Sequence, residues 1–542
     1  MINSPNFPTI FLLLLLLLLL LSPSSSHAIS QQTAMADQQS FLHCLHNQTI
    51  PSNVIFSQEN RDYKTLLFSS IQNPRTLISS HKPLLIITPT HESQLHAIVS
   101  CSRTLNIPLR IRSGGHDYEG LSYASILTPF FILIDLQMLR SVIIDDTRGE
   151  AWVQAGATLG ELYYAIAMKS RVLAFPAGTC PTVGVGGHFS GGGLGMMVRA
   201  HGLAIDNIID ARIVTANGDI LDRGSMGEHL FWAIRGGGGS SFGVVLAYKI
   251  KLVEVPPKIT VSAKSKTLKE GAIPLLGKWQ RIAFNVDKRL NIEGVVFLAH
   301  EKDNEKKNTV QVDFNIMFLG EKNELLSVME ASFPELGLEE DDCKEMSWIE
   351  SVVNFGYFAP NKSLGSLLDR RPATNNTSFK NKSDLVTEPI GEGGWEGICR
   401  WLMEEAGEWE FDMIIDPLGG RMDEISASET PYPHRKGSLF DVQYEMTWRE
   451  EGKEAADKNM EWMRKLYDFM GPYVSRNPRA AYLNYRDLDL GMNEGEGNTS
   501  YAVAREWGEK YFKGNFRRLA MVKAEVDPGN FFRHEQSIPL PF

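Results

Sequence analysis

The stretch RIRSGGHDYEG, Arg110 to Gly120, ends an alternating, strand-like run with two glycines and sets His116 directly behind them. A histidine on such a turn suits four kinds of chemistry: a phosphate cradle made with neighbouring backbone, a metal ligand, a proton carrier, or a point of covalent attachment. Metal binding is the weakest of these, because no two-histidine, one-carboxylate spacing surrounds it. A second reactive side chain, Cys180, stands at the edge of CPTVGVGGHFSGGGLG, which has seven glycines between Gly184 and Gly195. Glycine at that density means that backbone must come close to another group. The segment matches neither G-x-G-x-x-G nor the G-x-x-x-x-G-K-[ST] phosphate loop, which sets aside an ordinary dinucleotide fold or P-loop. RGGGGSSFG, Arg235 to Gly243, repeats the pattern just before VVLAYKIKL. Two nucleophiles on glycine-rich loops could grip one flat cofactor between them.

The elements that position these loops read as α+β. LLIIT, PLRIR, FFILIDL and EAWVQAG are short strands between turns, and Thr158 caps a helix over TLGELYYAIAM. Asn217-Gly218 lies between two apolar segments and predicts a hairpin, since both residues accept positive φ. From about Val255 to Tyr473 longer strands such as TVQVDFNIMF alternate with helices such as NELLSVMEASF and GWEGICRWLMEEAGE. This is expected to be a second, antiparallel-sheet lobe over 255–473. In LFDVQYEMTW, Phe440, Val442, Tyr444, Met446 and Trp448 alternate with Asp441, Gln443, Glu445 and Thr447, so pleating puts the polar set on one face. That face is either solvated or turned toward a ligand. The basic, aromatic stretch REWGEKYFKGNFRRLAMVKAEV is helical and is closed by Asp527-Pro-Gly.

With 542 residues the chain can bury two sizeable cores, and a net charge of -11 disfavours nucleic acid or an anionic membrane as partner. Ile10 to Leu21 is an apolar run of 12 residues, too short for a bilayer that needs about 20. It reads as a signal peptide cleaved near Ala28, although no Lys or Arg precedes it. In a secreted chain the sequons at Asn47, Asn361, Asn375, Asn376, Asn381 and Asn498 become candidate glycosylation sites. Five cysteines, Cys44, Cys101, Cys180, Cys343 and Cys399, leave at least one thiol without an intrachain partner.

R-S-G-G-H-D-Y-E-G, C-P-T-V-G-V-G-G-H-F-S-G-G-G-L-G, L-F-W-A-I-R-G-G-G-G-S-S-F-G, N-Y-R-D-L-D-L-G and F-F-R-H-E-Q-S-I-P, in this order, closely resemble the plant berberine bridge enzyme-like family. These are FAD-linked oxidases of the vanillyl-alcohol oxidase superfold, and the cannabinoid synthases belong to them. The resemblance covers essentially the whole mature chain. It implies a two-lobed fold with a PCMH-type FAD-binding part at 29–254, a substrate domain at 255–473 and a C-terminal segment, 474–542, that completes the FAD lobe. It further implies bicovalent FAD, attached through His116 to the 8α carbon and Cys180 to ring carbon 6. Ser113, Gly114, Gly115, Gly184, Gly186, Gly187, Gly191 and Asn484 would help bind FAD, the glycine loops giving backbone N–H groups to its pyrophosphate. His188 would lie near the pyrimidine side and stabilise negative charge there. Cys44 and Cys101 resemble the family disulfide, which leaves Cys343 and Cys399 as buried thiols.

The same resemblance makes Tyr485 the general base, with Asp441, Gln443 and Tyr118 beside it and Val183 at the position that admits or excludes oxygen. Arg486 or the oxidised flavin would favour the Tyr485 anion. Monolignol-oxidising relatives often carry Tyr where Leu194 stands and Lys where Asp441 stands, and cannabinoid synthases carry Tyr where Leu418 stands, so neither substrate transfers to this chain. The pocket is expected to be apolar and aromatic. The implied activity is oxidation of a phenolic, prenylated phenolic or alkaloid plant metabolite, with molecular oxygen reduced to hydrogen peroxide, by a monomer with no metal. Carbohydrate oxidation, a flavin-containing Diels-Alderase and a redox-silent binding protein are the alternatives.

Overall fold

The computed structural model describes residues 36–542 apart from 78–79, 302–303, 358–361, 372–376, 406–409 and 496–498. The leader and the sequons at Asn361, Asn375, Asn376 and Asn498 lie outside the described residues. A four-stranded sheet takes β1 (Ile55–Ser57), β2 (Leu85–Ile87), β3 (Leu109–Arg112) and β4 (Ile132–Asp135) in the order β1-β2-β4-β3. β2, β4 and β3 are parallel, and β2 and β4 are buried along their length, the pattern of strands covered on both faces. Helix Ser93–Thr104 packs beside this sheet, and its Cys101 is disulfide-bonded to Cys44.

A five-stranded antiparallel sheet runs β5 (Val142–Asp145), β6 (Glu150–Gln154), β10 (Val244–Lys251), β8 (Ile208–Val214) and β9 (Ile220–Leu221). The expected hairpin joins β8 to β9, but only Gly218 sits at positive φ, +87°, so the turn depends on one residue of the pair. Thr158 caps helix Leu159–Lys169 in a capping box with Glu161. A two-stranded ribbon, β7 (Leu173–Ala174) with β11 (Val253–Glu254), closes this part.

The second sheet system has seven antiparallel strands: β12 (Ile259–Thr267), β13 (Leu290–Glu301), β14 (Asn304–Phe318), β15 (Cys343–Met346), β16 (Ser378–Val386), β17 (Glu410–Pro417) and β18 (Phe440–Trp448), in the order β15-β12-β14-β13-β17-β18-β16. Phe440, Val442, Tyr444, Met446 and Trp448 pack on one face in a core with Trp279, Trp395 and Trp462 from helices Ala272–Ile282, Glu392–Glu404 and Lys453–Met470. The opposite face is turned toward the glycine-rich loops. Helices Tyr501–Phe512 and Asn515–Val526 then return to the first core, where Trp507, Tyr511, Phe516 and Leu519 join Phe175, Phe189 and Tyr248. The protein is α+β, and its two sheet systems meet at the loops that carry His116 and Cys180. Among the described residues no helix is long and apolar enough to cross a membrane.

Candidate active site

Two glycine-rich loops interlock at backbone distance. A Cβ on Gly114 would fall 2.3 Å from the nitrogen of Gly184, and one on Gly184 would fall 2.2 Å from the nitrogen of Gly114. The contact requires glycine on both sides. Gly115 has φ +73°, and its missing Cβ would lie 1.9 Å from the carbonyl of Ser70. Around the second loop, Leu159 and Gly160 donate N–H bonds to Val183 and Pro181, while Val185 and Gly186 donate to Ala157 and Ala155. These four bonds, with an isolated antiparallel bridge between Thr158 and Gly184, tie residues 181–186 to 155–160. Ser113 Oγ donates to the same Ala155 carbonyl at 2.5 Å, so Ser113 pins the first loop to the second.

This interlock brings His116 and Cys180 together. His116 Nε2 is 2.9 Å from Thr182 Oγ1, and Cys180 Sγ is 3.5 Å from the same oxygen. With Nε2 engaged, Nδ1 is the ring nitrogen left to attack. Burial pushes the His116 pKa down to about 4, which keeps the imidazole neutral and nucleophilic, and burial raises the Cys180 thiol above its ordinary value. The other free cysteines, Cys343 and Cys399, are buried far from any such arrangement, with Cys399 pushed up to about 12.

The loops also fit a phosphate-bearing group. The backbone N–H groups of Gly114, Gly115 and His116 donate to no backbone carbonyl among the described residues. Gly187, in helix Val185–Gly191, is exposed with nothing within 4 Å of its absent Cβ. Successive free N–H groups beside open space form an anion-binding concavity. Gly191 and Asn484 have a bracing role: Asn484 Nδ2 donates to the His188 carbonyl at 2.9 Å, and its Oδ1 leaves only 1.9 Å for a Cβ on Gly191. His188 is tied to the segment just before Cys180. Its Nε2 accepts the Gly178 N–H at 2.9 Å, and burial together with nearby His116 pushes its pKa down to about 3. The ring is neutral, so any help it gives to negative charge comes from its Nδ1–H donor and not from a cation.

Above the loops stands the polar face of the seven-stranded sheet. Gln443 Nε2 donates to the Tyr118 hydroxyl at 3.0 Å. Tyr118 stacks on Tyr485 with centroids 6.0 Å apart and meets Phe379 edge-on at 5.5 Å; Tyr482 meets Tyr485 edge-on at 4.9 Å. The Tyr482 hydroxyl accepts the N–H groups of Gly193 and Leu194 at 2.7 and 3.2 Å, which ties this aromatic wall to the glycine segment. Asp441 is 1% exposed, so its face is not solvated. The aromatic part of the expected pocket is present, and Ile414, opposite Gln443, and Val295, opposite Ile414, are apolar positions of the same face, with acids beside them. Asp416 lies directly opposite Asp441, and Glu293, Asp412 and Glu445 lie on neighbouring positions of the same pleat.

Electrostatics here oppose a resting Tyr485 anion. Burial, then Asp416 and Asp441, raise the Tyr485 pKa well above its ordinary value. Arg486 does not counter this, because its Nε is bonded to Asp117 Oδ2 at 2.9 Å. Burial, then Asp384, raise the Asp441 pKa well above its ordinary value, and both its oxygens lack a hydrogen-bond partner. Glu445 is pushed up to about 7 by burial and Asp412.

A buried ion network holds the walls. Lys380 on β16 binds Glu119 and Asp487, the latter at 2.7 Å, and Lys382 binds Asp487 at 2.6 Å. Glu119 follows Tyr118 and Asp487 lies two residues after Tyr485, so the substrate sheet is fastened to both tyrosine loops. The sequon at Asn381 falls between these lysines; Asn381 is 0% exposed, and the folded sheet has no room for a glycan there, which corrects that expectation. Asn47 is exposed. Sequence reasoning did not find Thr182, Asp416, Lys380 or Lys382. The alternation of Asp412, Ile414 and Asp416 with Phe411, Met413 and Ile415 was the available signal for Asp416.

Residues 83–224 match the family model described as FAD binding domain, and residues 481–539 match that described as berberine and berberine like. The chain is 48% identical over 521 residues to tetrahydroberberine oxidase of Berberis wilsoniae, covering 96% of this chain and 97% of that protein. The solved structure of BBE-like 28 from Arabidopsis thaliana is similar with a TM-score of 0.86 at 48% identity, over 93% of this chain and 99% of that one. The solved structure of the grass pollen allergen Phl p 4.0202, named a glucose dehydrogenase, is similar at 44% identity and a TM-score of 0.86, over 92% of this chain and 99% of that one. The chain belongs to the berberine bridge enzyme-like family of FAD-linked oxidoreductases.

Proposed function

We propose that the protein is a secretory-pathway oxidase whose FAD is held by two covalent bonds, from His116 Nδ1 and Cys180 Sγ, and that it acts on a small plant metabolite. The carrying observation is the meeting of His116 and Cys180 on one hydroxyl, Thr182, beneath a sheet face with Asp441, Gln443, Tyr118 and Tyr485. When bound, FAD would supply two-electron oxidation of the substrate and reduction of oxygen to hydrogen peroxide. The N–H groups of Gly114, Gly115 and His116 would receive its pyrophosphate.

The chain's own residues orient substrate and move a proton. Tyr118, fixed by Gln443, and Tyr485 form an aromatic wall for a flat substrate. Tyr485, protonated at rest, is placed to donate a hydrogen bond. Asp441, whose carboxyl oxygens have no other partner, is the group placed to accept a proton. This moves the base from Tyr485, the residue the sequence resemblance favours, to Asp441. A sugar substrate is a second reading, favoured by the run of carboxyl and amide groups on the sheet face beside the aromatic Tyr118 and Phe379. Purified protein mixed with phenolic, alkaloid and oligosaccharide panels, with peroxide and product followed together, tests the proposal. Turnover without peroxide would refute the oxidase reading, and a colourless protein would refute the cofactor.

A further inference from the structure

The segment Cys180-Pro181-Thr182-Val183 folds back on itself. The Val183 N–H donates to the Cys180 carbonyl at 3.3 Å, and proline at the second position suits such a turn because its φ is already fixed. The carbonyls on either side of Thr182, those of Pro181 and Val183, accept the N–H groups of Gly160 and Leu159, so the third position of the turn is held in place. Thr182 is buried there. Its hydroxyl is set between two side chains, 2.9 Å from His116 Nε2 and 3.5 Å from Cys180 Sγ.

A hydroxyl carries one hydrogen, which fixes how it can serve both neighbours. A neutral imidazole that attacks through Nδ1 holds its hydrogen on Nε2 and donates it to Thr182 Oγ1. The hydroxyl hydrogen is then free for Sγ, and the chain runs from Nε2–H to Oγ1–H to sulfur, each bond polarising the next. The thiolate is the form of cysteine that attacks, and burial raises the Cys180 thiol above its ordinary value; the Thr182 hydroxyl is the strongest influence against that rise. The titratable groups whose charge reaches Sγ are Glu445, Tyr118 and Tyr163, and all three are acids. Positive charge therefore reaches the sulfur through Thr182 from His116, whose own neighbour His188 is neutral. Once Nδ1 has gained a carbon, a ring that still holds its Nε2 hydrogen is a cation, and the hydroxyl bonded to it becomes a stronger donor to sulfur.

Resting on the proposed covalent attachment, and going beyond it, we infer that Thr182 is a positioning residue for that attachment: its hydroxyl holds the Cys180 thiolate, and it does so most strongly after His116 has joined. Joining His116 forms the bond from Nδ1 to the flavin 8α carbon, breaks one C–H bond there, and leaves the Nε2 proton to depart after the thiolate has reacted. Joining Cys180 forms the bond from Sγ to ring carbon 6 and breaks the C–H bond there and the S–H bond. Each joining releases two protons and two electrons, which molecular oxygen takes up as one hydrogen peroxide.

The test is peptide mass spectrometry of the purified, flavin-bearing protein, which reads the bonds at His116 and at Cys180 separately. Wild type should carry both. Thr182→Val keeps the shape and removes the hydroxyl; it should carry the His116 bond and form the Cys180 bond about tenfold to a hundredfold more slowly, the range for a hydrogen bond to a charged group. Held in air, this variant should gain the missing bond about tenfold faster for each unit of pH from near 7 to near 9, because the thiolate fraction grows in that proportion below the thiol pKa. Thr182→Ser restores the hydroxyl and should carry both bonds. His116→Ala should form its one bond, at Cys180, more slowly than wild type and gain from high pH in the same way. A Thr182→Val protein with both bonds as complete as wild type would overturn the inference, as would a Thr182→Ser protein as deficient as Thr182→Val, or loss of the His116 bond from a folded Thr182→Val. If Thr182→Val does not fold, His116→Ala decides, since a Cys180 bond formed as fast as in wild type would overturn the coupling through Thr182. A wild type without the Cys180 bond would instead refute the proposed attachment itself, and this inference with it.

Discussion

Replacing Lys380 by methionine tests how the site is held. Lys380 Nζ binds Glu119 and Asp487, all three side chains being at most 5% exposed, so the change leaves two buried carboxylates short of a cation. Removing one partner of a buried pair costs about 3 to 5 kcal/mol. Glu119 keeps Arg75 at 2.9 Å and Asp487 keeps Lys382 at 2.6 Å, which places the expected loss at the lower end, about 3 kcal/mol. The Glu119 pKa, pushed down from 4.5 to about 2 chiefly by Lys380 and Arg75 against the effect of burial, gives a similar scale, about 3 kcal/mol at 1.36 per unit. Since the folded pKa is depressed, this stability is fully present above about 4.5 and is lost as pH falls toward 2. The gap between wild type and Lys380→Met in urea unfolding should therefore be widest near neutrality and shrink over that acid range. The flavin should stay attached, because His116 and Cys180 are untouched. Its reduction by substrate should slow by about 100-fold if Tyr118 and Tyr485 move by about 1 Å. Wild-type stability with a gap that does not change with pH would refute the assignment of Lys380 as the fastening of both loops.

His116→Ala and Cys180→Ala should each retain flavin through one bond, seen as colour in acid-precipitated protein, and the double variant should lose it. Val183 is half-buried beside the Cys180 loop with its carbonyl fixed by the Leu159 N–H, so Val183→Leu should slow reoxidation of reduced enzyme by oxygen while leaving reduction within a fewfold, as anaerobic and aerobic stopped flow would show. Asp441→Asn should slow flavin reduction by the roughly 100-fold to 10,000-fold of a positioned base, whereas Tyr485→Phe should cost about 10-fold or less; the reverse order would return the role to Tyr485. Cys44→Ser should lower stability by about 4 kcal/mol in urea, the loop-closure estimate for a 57-residue separation.

Much of this was legible in one sequence because local rules were obeyed. Thr158 and Glu161 announce a capped helix, and the period-2 alternation of LFDVQYEMTW separates the core face from the ligand face. The family motifs located His116 and Cys180, and density of glycine predicted close backbone approach, seen at Gly114 and Gly184. What stayed hidden depends on pairing between distant segments. Asp416 looks like one more polar residue until β17 is registered against β18. Lys380 and Lys382 read as a charged sequon-bearing stretch, and only the 107 and 105 residues that separate them from Asp487 in sequence, closed in space, reveal a latch. Arg486 was misjudged for the same reason: its partner, Asp117, is 369 residues away.

Charge is thus divided between two tasks at the meeting of the sheets. Lys380 and Lys382 fasten Glu119 and Asp487, so the loops that carry Tyr118 and Tyr485 cannot shift without separating buried ions. Asp416 and Asp441, a few strand positions away on the same sheet, have no such partner. The pleat keeps the two tasks apart: Lys380 and Lys382 stand opposite Met446 and Tyr444, on the core face of the sheet, while Asp441 is on the other face. Latch and site should therefore be independent: Lys380 and Asp441 share no partner, so the stability changes of Lys380→Met and Asp441→Asn in urea unfolding should add to within about 0.5 kcal/mol, and a larger departure would show that the two are coupled.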